Sequence, residues 1–342
     1  MAATRIPTWI PRHGETYDVG GHKTAQSISH DALDAFMNGG PVPKATAYIG
    51  QPGGWENVAS RPEYYQTNED MKILDKYSEA LLEICHEKQI VWEIGPGDFT
   101  KTRWLIAKLF ESWNLHQKPL LYLITDISAS LQLGVAKLAR EYPANAIHIA
   151  GLGGSDEDGL KYIQHHQMKP CVLLNLGSFF FNKGVSDLKQ HLPKWKSFFE
   201  QGHELWASQD GHDSKDQKKI EAAYGSAAQT FVCENFCNVI AEAAGEQLID
   251  IEEWRPFRVF RPYPHPHHII GLEAKSNIRK DRVVYDEGHK LTLFTSFKYG
   301  PSAIDSFCEE HGLAVRKTFG ADESKMHHYL IAQATGVGNR SP

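Results

Sequence analysis

Between residues 90 and 210, short apolar runs alternate with amphipathic stretches, and this rhythm constrains the fold more than any other feature. The runs are IVWEIG (90–95), LLYLITDI (120–127), AIHIAGL (146–152), CVLLNLG (171–177) and ELWASQD (204–210). Between them, residues 101–113, 131–142, 158–166 and 185–201 carry apolar side chains at helical spacing. Strand and helix in this alternation predict an α/β fold with a parallel sheet, doubly wound and right-handed in its crossovers. CVLLNLG is apolar at nearly every position, as a strand covered on both faces requires.

Outside this stretch the pattern changes. Residues 69–86 form a predicted helix through Met71, Leu74, Tyr77, Leu81 and Ile84, and residues 27–37 a short one before a Gly/Pro-rich stretch, 39–54. Residues 213–250 read as a polar turn followed by helices, with Cys233 and Cys237 in helix packing. Residues 254–286 carry aromatics, prolines and β-type alternation, LTLFTSFKYG (291–300) reads as a strand, and 301–333 as a helix followed by a strand, 327–334. The expected division is a cofactor-binding domain, 61–212 plus 297–336, and a substrate lobe, 1–60 plus 213–296.

A net charge of −6 argues against a nucleic-acid partner, which needs a basic face. No run approaches the roughly 18–20 apolar residues of a membrane span, and the N-terminal residues lack the apolar core of a signal peptide. The five cysteines form no CxxC pair, which fits free thiols in a reducing compartment; a cytoplasmic location is expected. His265, His267 and His268 invite a metal reading, but they lack a partner cluster at ligand spacing, so no metal is expected. DGHDSKD (210–216) reads as a solvated turn, with Asp210 at a strand end able to face a cleft. His165, His166, His327 and His328 read as surface residues.

Ligands of open parallel sheets bind beyond the strands' C-terminal ends. The first strand here ends Glu93-Ile94-Gly95-Pro96-Gly97-Asp98. Gly95 and Gly97 allow a tight turn and a close approach of backbone to ligand, and the next helix directs its first amides there. Asp126 ends the second strand, where a carboxylate can accept from both hydroxyls of a ribose. Gly154 and Ser155 end the third, suited to an adenine edge, and Asn175 and Gly177 the fourth, beside a substrate entrance. Thr100 stands where a dinucleotide fingerprint has its third glycine, and Glu93 suits a pyrophosphate poorly. The pattern therefore favours S-adenosylmethionine (SAM) over a nicotinamide dinucleotide. An oxidoreductase and a non-catalytic cofactor binder remain the alternatives.

The flanks carry a more specific signal. SRPEYYQTNEDMKIL (60–74), GPGDFTKTRWLI (95–106), TDISASL (125–131), LGSFFFN (176–182), AY (223–224) and TSFKY (295–299) occur in one order. They resemble, in that order, the segments of the SAM-dependent histidine N-methyltransferases of ergothioneine biosynthesis. GLGGSDEDGL (151–160) is similar to fungal members, including dimethylallyltryptophan N-methyltransferases. The resemblance spans about residues 45–335. It implies a class I SAM-methyltransferase (Rossmann-like) fold with a second substrate-binding lobe. At the cofactor it implies Gly95, Lys101 (toward the methionine carboxylate), Asp126, Gly154 and Ser155. At a small-molecule substrate it implies Tyr65, Asn182, Tyr224 and Ser296, the asparagine and tyrosines holding the α-amino and α-carboxylate groups. Tyr65 and Tyr224 are the candidates to orient the reacting amine; no base is named.

The sequence departs from that family at one informative position. Where the histidine enzymes carry a glutamate for the imidazole, two residues before the serine of TSFKY, this chain has Phe294. Ile270 falls near a second pocket position. A phenylalanine favours an aromatic ring over an imidazole N–H that needs an acceptor. The expected reaction is therefore α-N-methylation of a tryptophan- or tyrosine-like amino acid, with histidine as the alternative.

Overall fold

A computed structural model describes residues 7–49, 54–116, 119–128, 130–280, 283–321 and 324–334. Residues 1–6 and 50–53 of the expected lobe, and 335–336 of the expected cofactor domain, lie outside it. The N-terminal part holds β1 (Thr16–Asp18), α1 (Gly21–Asn38), α2 (Gly54–Ala59), α3 (Tyr65–Lys76) and α4 (Ser78–Lys88). The alternating stretch then gives β2 (Ile90–Ile94), α5 (Thr100–His116), β3 (Leu120–Asp126), α6 (Leu131–Glu141), β4 (Ile147–Gly153) and α7 (Asp156–His165). It continues through β5 (Val172–Asn175), α8 (Val185–His191), α9 (Lys196–Glu200) and β6 (Glu204–Asp210). Next come α10 (Gln217–Ala223), α11 (Ser226–Ala244), β7 (Trp254–Arg261), β8 (His267–Ala274), β9 (Ile278–Lys280), β10 (Val283–Tyr285) and β11 (Lys290–Phe297). The chain closes with α12 (Pro301–Glu310), β12 (Leu313–Gly320) and β13 (Met326–Gln333).

Eight strands form the main sheet in the order β1-β4-β3-β2-β5-β6-β13-β12. All expected strands of the alternating stretch are present and parallel to one another. The sheet is mixed rather than purely parallel, because β13 runs antiparallel to both β6 and β12. Setting the short edge strand β1 aside, this is the class I methyltransferase sheet. Side chains alternate between two cores. Val91, Tyr122 and Ile124 pack on one face with α4, α5 and α6, while Trp92, Leu121 and Leu123 pack on the other with α7, α9 and α12. Trp92 stacks on Trp195 with centroids 5.8 Å apart in the second core. Each such buried aromatic contributes about 1.5–3 kcal/mol of apolar burial.

Three departures have local causes. The helix expected over 69–86 is two, α3 and α4, bent apart at Tyr77, whose hydroxyl reaches the Gly320 carbonyl at 3.0 Å. The helix expected over 185–201 is cut by a 3-10 turn, Leu192–Trp195, where Pro193 removes a backbone donor. The stretch 301–333 contains β12 as well as β13; Arg316, Lys317 and Thr318 face solvent on the outermost strand, so no apolar alternation announces it.

A second sheet, β11-β8-β7, is antiparallel throughout. Its register slips between Thr292 and Phe294, a bulge that turns the side chain of Phe294 toward the end of the main sheet. Gly271 sits opposite, where a Cβ would come within 2.1 Å of the Leu291 carbonyl oxygen. The ends of the two sheets are tied together by Tyr299 N–H donating to the Asp210 carbonyl at 2.8 Å. Among the described residues no helix is long and apolar enough to cross a membrane.

Candidate active site

A cleft of about 250 Å³ opens at the C-terminal ends of β2, β3, β4 and β5. Its floor is the loop from β2 to α5. Gly95 and Gly97 adopt φ of 65° and 61°, and a Cβ on either would meet no atom within 4 Å. The backbone thus demands glycine and leaves open space above it, a cradle for a ligand. Phe99 follows with φ 61° and lies so close over Gly134 that a Cβ there would come within 2.4 Å of its ring. Asp98 caps α5, accepting from Thr100 N–H at 2.9 Å, so the first helical turn presents its amides and Lys101 to the cleft. Lys101 Nζ lies 2.8 Å from Asp70 Oδ2 and also donates to the Leu176 carbonyl. Against the burial that would raise it, Lys101 and His328 hold the Asp70 carboxyl below the usual range.

Asp126 lines the cleft from the end of β3, and its Oδ1 accepts from Ser128 N–H at 2.7 Å. Gly154, Ser155 and Gly177 also line it. The Ser155 hydroxyl caps α7 in a reciprocal box with Asp158, so its side chain is committed to the helix end. Two expected cofactor residues stand behind the wall instead. Glu93 is fully buried on the α5 side, taking a hydrogen bond from Tyr122 Oη at 2.8 Å; burial pushes its carboxyl up to about 7. Asn175 accepts from the N–H groups of Phe179 and Phe180 at 3.1 and 2.8 Å and so shapes the segment leading to Asn182.

The far end of the cleft is aromatic. Trp55 stands 5.1 Å from Phe294, 6.0 Å from Tyr64 and 6.3 Å from Phe231, and Tyr48 lies 6.3 Å from Phe294. Asn182 and Tyr224 line the same end. Behind them runs a buried polar network. Lys298 Nζ is 2.8 Å from Asp210 Oδ2, 2.9 Å from Ser296 Oγ and 3.1 Å from Tyr224 Oη. Asp210 also accepts from Tyr65 Oη at 2.6 Å and Gln66 Nε2 at 2.7 Å, while its Oδ1 pairs with His212 Nδ1 at 2.7 Å. Although burial opposes both charges, each holds the other: the Asp210 carboxyl sits far below its ordinary range and the Lys298 ammonium above its own. Burial and the Asp210 carboxylate push the Tyr65 phenol well up.

The cleft thus brings together Gly95, Gly97, Lys101, Asp126, Gly154, Ser155, Gly177, Asn182, Tyr224 and Phe294. Tyr65 and Ser296 act from the buried network, and Ile270 is fully buried opposite Phe294 in the sheet. The neighbouring tyrosine, Tyr64, is the one that lines the cleft. The surface reading of His328 is overturned: it is fully buried, accepting from Trp206 Nε1 at 3.0 Å and donating from Nε2 to Asp70 at 2.9 Å. His212, read as part of a solvated turn, is likewise buried, and so is Asp210 at the end of β6. Tyr48, Trp55, Phe231, Gln66, Asp70 and Lys298 were not singled out from sequence. Lys298, inside TSFKY, and Gln66 and Asp70, inside SRPEYYQTNEDMKIL, lay within flagged motifs. Among the described residues no group of His, Cys, Asp and Glu is placed to hold a metal.

The family model described as histidine-specific methyltransferase, SAM-dependent, matches residues 53–333. The chain belongs to this family. Individual relatives are distant. A 4-dimethylallyltryptophan N-methyltransferase of Claviceps purpurea is 25% identical over 36% of this chain and 37% of its own length. The first relatives are thus matched over less than half of their length. An L-tryptophan methyltransferase of Psilocybe serbica is 23% identical over 79% of this chain and 81% of its own. A SAM-dependent methyltransferase of Bacteroides fragilis, solved with S-adenosylhomocysteine, covers 91% of this chain and 96% of its own at 8% identity and a TM-score of 0.36. The cofactor of the family is SAM, and the cleft fits it: an open glycine cradle, a cation at Lys101 and a carboxylate at Asp126.

Proposed function

We propose that this chain transfers a methyl group from SAM to the α-amino nitrogen of an aromatic amino acid, a tryptophan- or tyrosine-like compound or its derivative, in cytoplasmic secondary metabolism of the fungal type. One observation carries the reading: Phe294, at the family's glutamate position, faces Trp55, Tyr48 and Phe231 across the substrate end of the cleft. Aromatic rings in such an arrangement bind another ring through area burial and edge-to-face contact. The names of the relatives that act on tryptophan derivatives support it.

In this reading Gly95, Gly97, Lys101, Asp126, Gly154 and Ser155 hold the cofactor, with Glu93, Asn175 and Gly177 shaping its surroundings. The cofactor supplies a methyl group on a sulfonium, which leaves as a neutral thioether. The protein's contribution is alignment of the amine lone pair and exclusion of water. Tyr224 and Asn182 orient the amine, and Tyr65 and Ser296 hold Tyr224 through Gln66 and the Asp210–Lys298 pair. Residues 61–212 with 297–336 provide the cofactor side and 1–60 with 213–296 most of the substrate side.

Calorimetry tests the cofactor assignment. S-adenosylhomocysteine should bind and NADH should not; tight binding of NADH without S-adenosylhomocysteine would return the chain to the oxidoreductases. The ring pocket has its own test. Phe294→Glu should leave S-adenosylhomocysteine affinity intact and lower turnover of L-tryptophan relative to L-histidine by at least about tenfold, the scale of one misplaced polar contact. An unchanged ratio would place Phe294 outside the pocket.

A further inference from the structure

Lys44 belongs to none of the roles above. It opens the 3-10 turn Lys44–Ala47, whose Ala45 and Ala47, with the following Tyr48, line the substrate end of the cleft. Its Nζ donates to the Asn182 carbonyl at 2.7 Å and stands 5.1 Å from the centre of the Phe294 ring. Asn182 and Phe294 are both walls of the cleft. Among the described residues no carboxylate lies within ion-pair distance of Lys44. The charged groups facing it are themselves cations: Lys183 on the segment after β5 and Lys298 after β11. Lys298 is matched by Asp210, and Lys183 faces Asp156, Glu157 and Asp187.

From this placement we infer that Lys44 is the proton acceptor for the substrate amine. This rests on the reading that an amine binds beside Asn182 and Tyr224. An α-amino acid arrives as an ammonium, whose nitrogen has no lone pair to attack with. One N–H bond of the substrate breaks, its electron pair stays on nitrogen as the nucleophilic lone pair, and the proton forms an N–H bond on Lys44 Nζ. Lys44 becomes an ammonium and later returns the proton to solvent. Substrate and acceptor need to lie within hydrogen-bond reach or one water apart, and Nζ is held by the carbonyl of Asn182, a wall residue of the cleft. Burial first, then Lys183 and Lys298, hold the Lys44 ammonium well below its ordinary pKa, so it gives up its proton more readily than an exposed lysine.

The test uses the whole chain and two variants, K44M and K44R, with L-tryptophan as the probe amine. Arginine keeps the donor to the Asn182 carbonyl but is always charged and cannot accept a proton. For the wild type, kcat/KM should be flat above neutrality and fall in acid as Lys44 becomes protonated. Both variants should be about 100-fold slower near neutral pH. Their deficit should shrink roughly tenfold per pH unit as solution supplies the free amine. A loss that does not change with pH, or an arginine variant as fast as wild type, would overturn the assignment. A second readout needs no turnover. Acylation by an amine-reactive reagent, mapped by mass spectrometry across pH, should modify Lys44 with a midpoint at least about one unit below that of the exposed Lys196. A midpoint at or above that of Lys196, or no acylation at any pH, overturns it too. If the wild type methylates no amine while Lys44 labels early, the substrate reading fails and the readily deprotonated lysine stands.

Discussion

Asp210→Ala is expected to destabilise the protein by about 3–5 kcal/mol, the cost of leaving one member of a buried ion pair unmatched. Lys298 and Asp210 are fully buried side by side. Without the carboxylate, a buried ammonium has no counter-charge, and Tyr65, Gln66 and His212 lose their common partner. Denaturant unfolding measures the loss through the midpoint at constant slope. Adding Lys298→Met should recover part of it, because the second change removes the stranded charge. A loss under about 1 kcal/mol would mean that the network is not structural. The pH dependence has a fixed sign. The Asp210 carboxyl is depressed in the folded state, so its contribution is present above the unfolded carboxylate value and disappears in acid. The Lys298 ammonium is raised, so its contribution is present below the unfolded lysine value and disappears in base. Stability from the pair is therefore complete between roughly pH 4 and 10.

Asp126→Ala is expected to weaken S-adenosylhomocysteine roughly 10- to 100-fold. A carboxylate accepting hydroxyl hydrogen bonds is worth about 1.5–3 kcal/mol. Asp126 also holds Ser128 N–H, so circular dichroism and unfolding should accompany the calorimetry. Unchanged affinity in a folded variant removes Asp126 from the site.

The parts legible in the sequence are those in which chemistry is local. Continuous apolar runs and period-3.6 patterns placed β2 to β6 and their helices, since each strand feeds both cores. The glycine cradle was legible because φ near 60° favours glycine, here at Gly95 and Gly97. What stayed hidden was tertiary. β1 is three residues long, and β12 turns charged side chains to solvent, so neither carries a pattern. His328 was read as a surface residue because its partner, Asp70, is 258 residues away; two polar side chains give no hint in sequence that they bury each other. Tyr64 and Tyr65 are adjacent in one motif, yet one lines the cleft and the other reaches Asp210, a difference set by where α3 begins. Trp55 and Tyr48 lie in an N-terminal stretch without periodicity, and only folding brings them against Phe294.

One product decides whether the proposed reaction occurs. The purified chain, incubated with SAM and a mixture of L-tryptophan, L-tyrosine, their prenylated derivatives and L-histidine, should yield an aromatic amino acid heavier by one or more methylene units, with fragmentation placing the added carbon on the α-nitrogen. Methylation of histidine alone, or no product from a chain that binds S-adenosylhomocysteine, would contradict it.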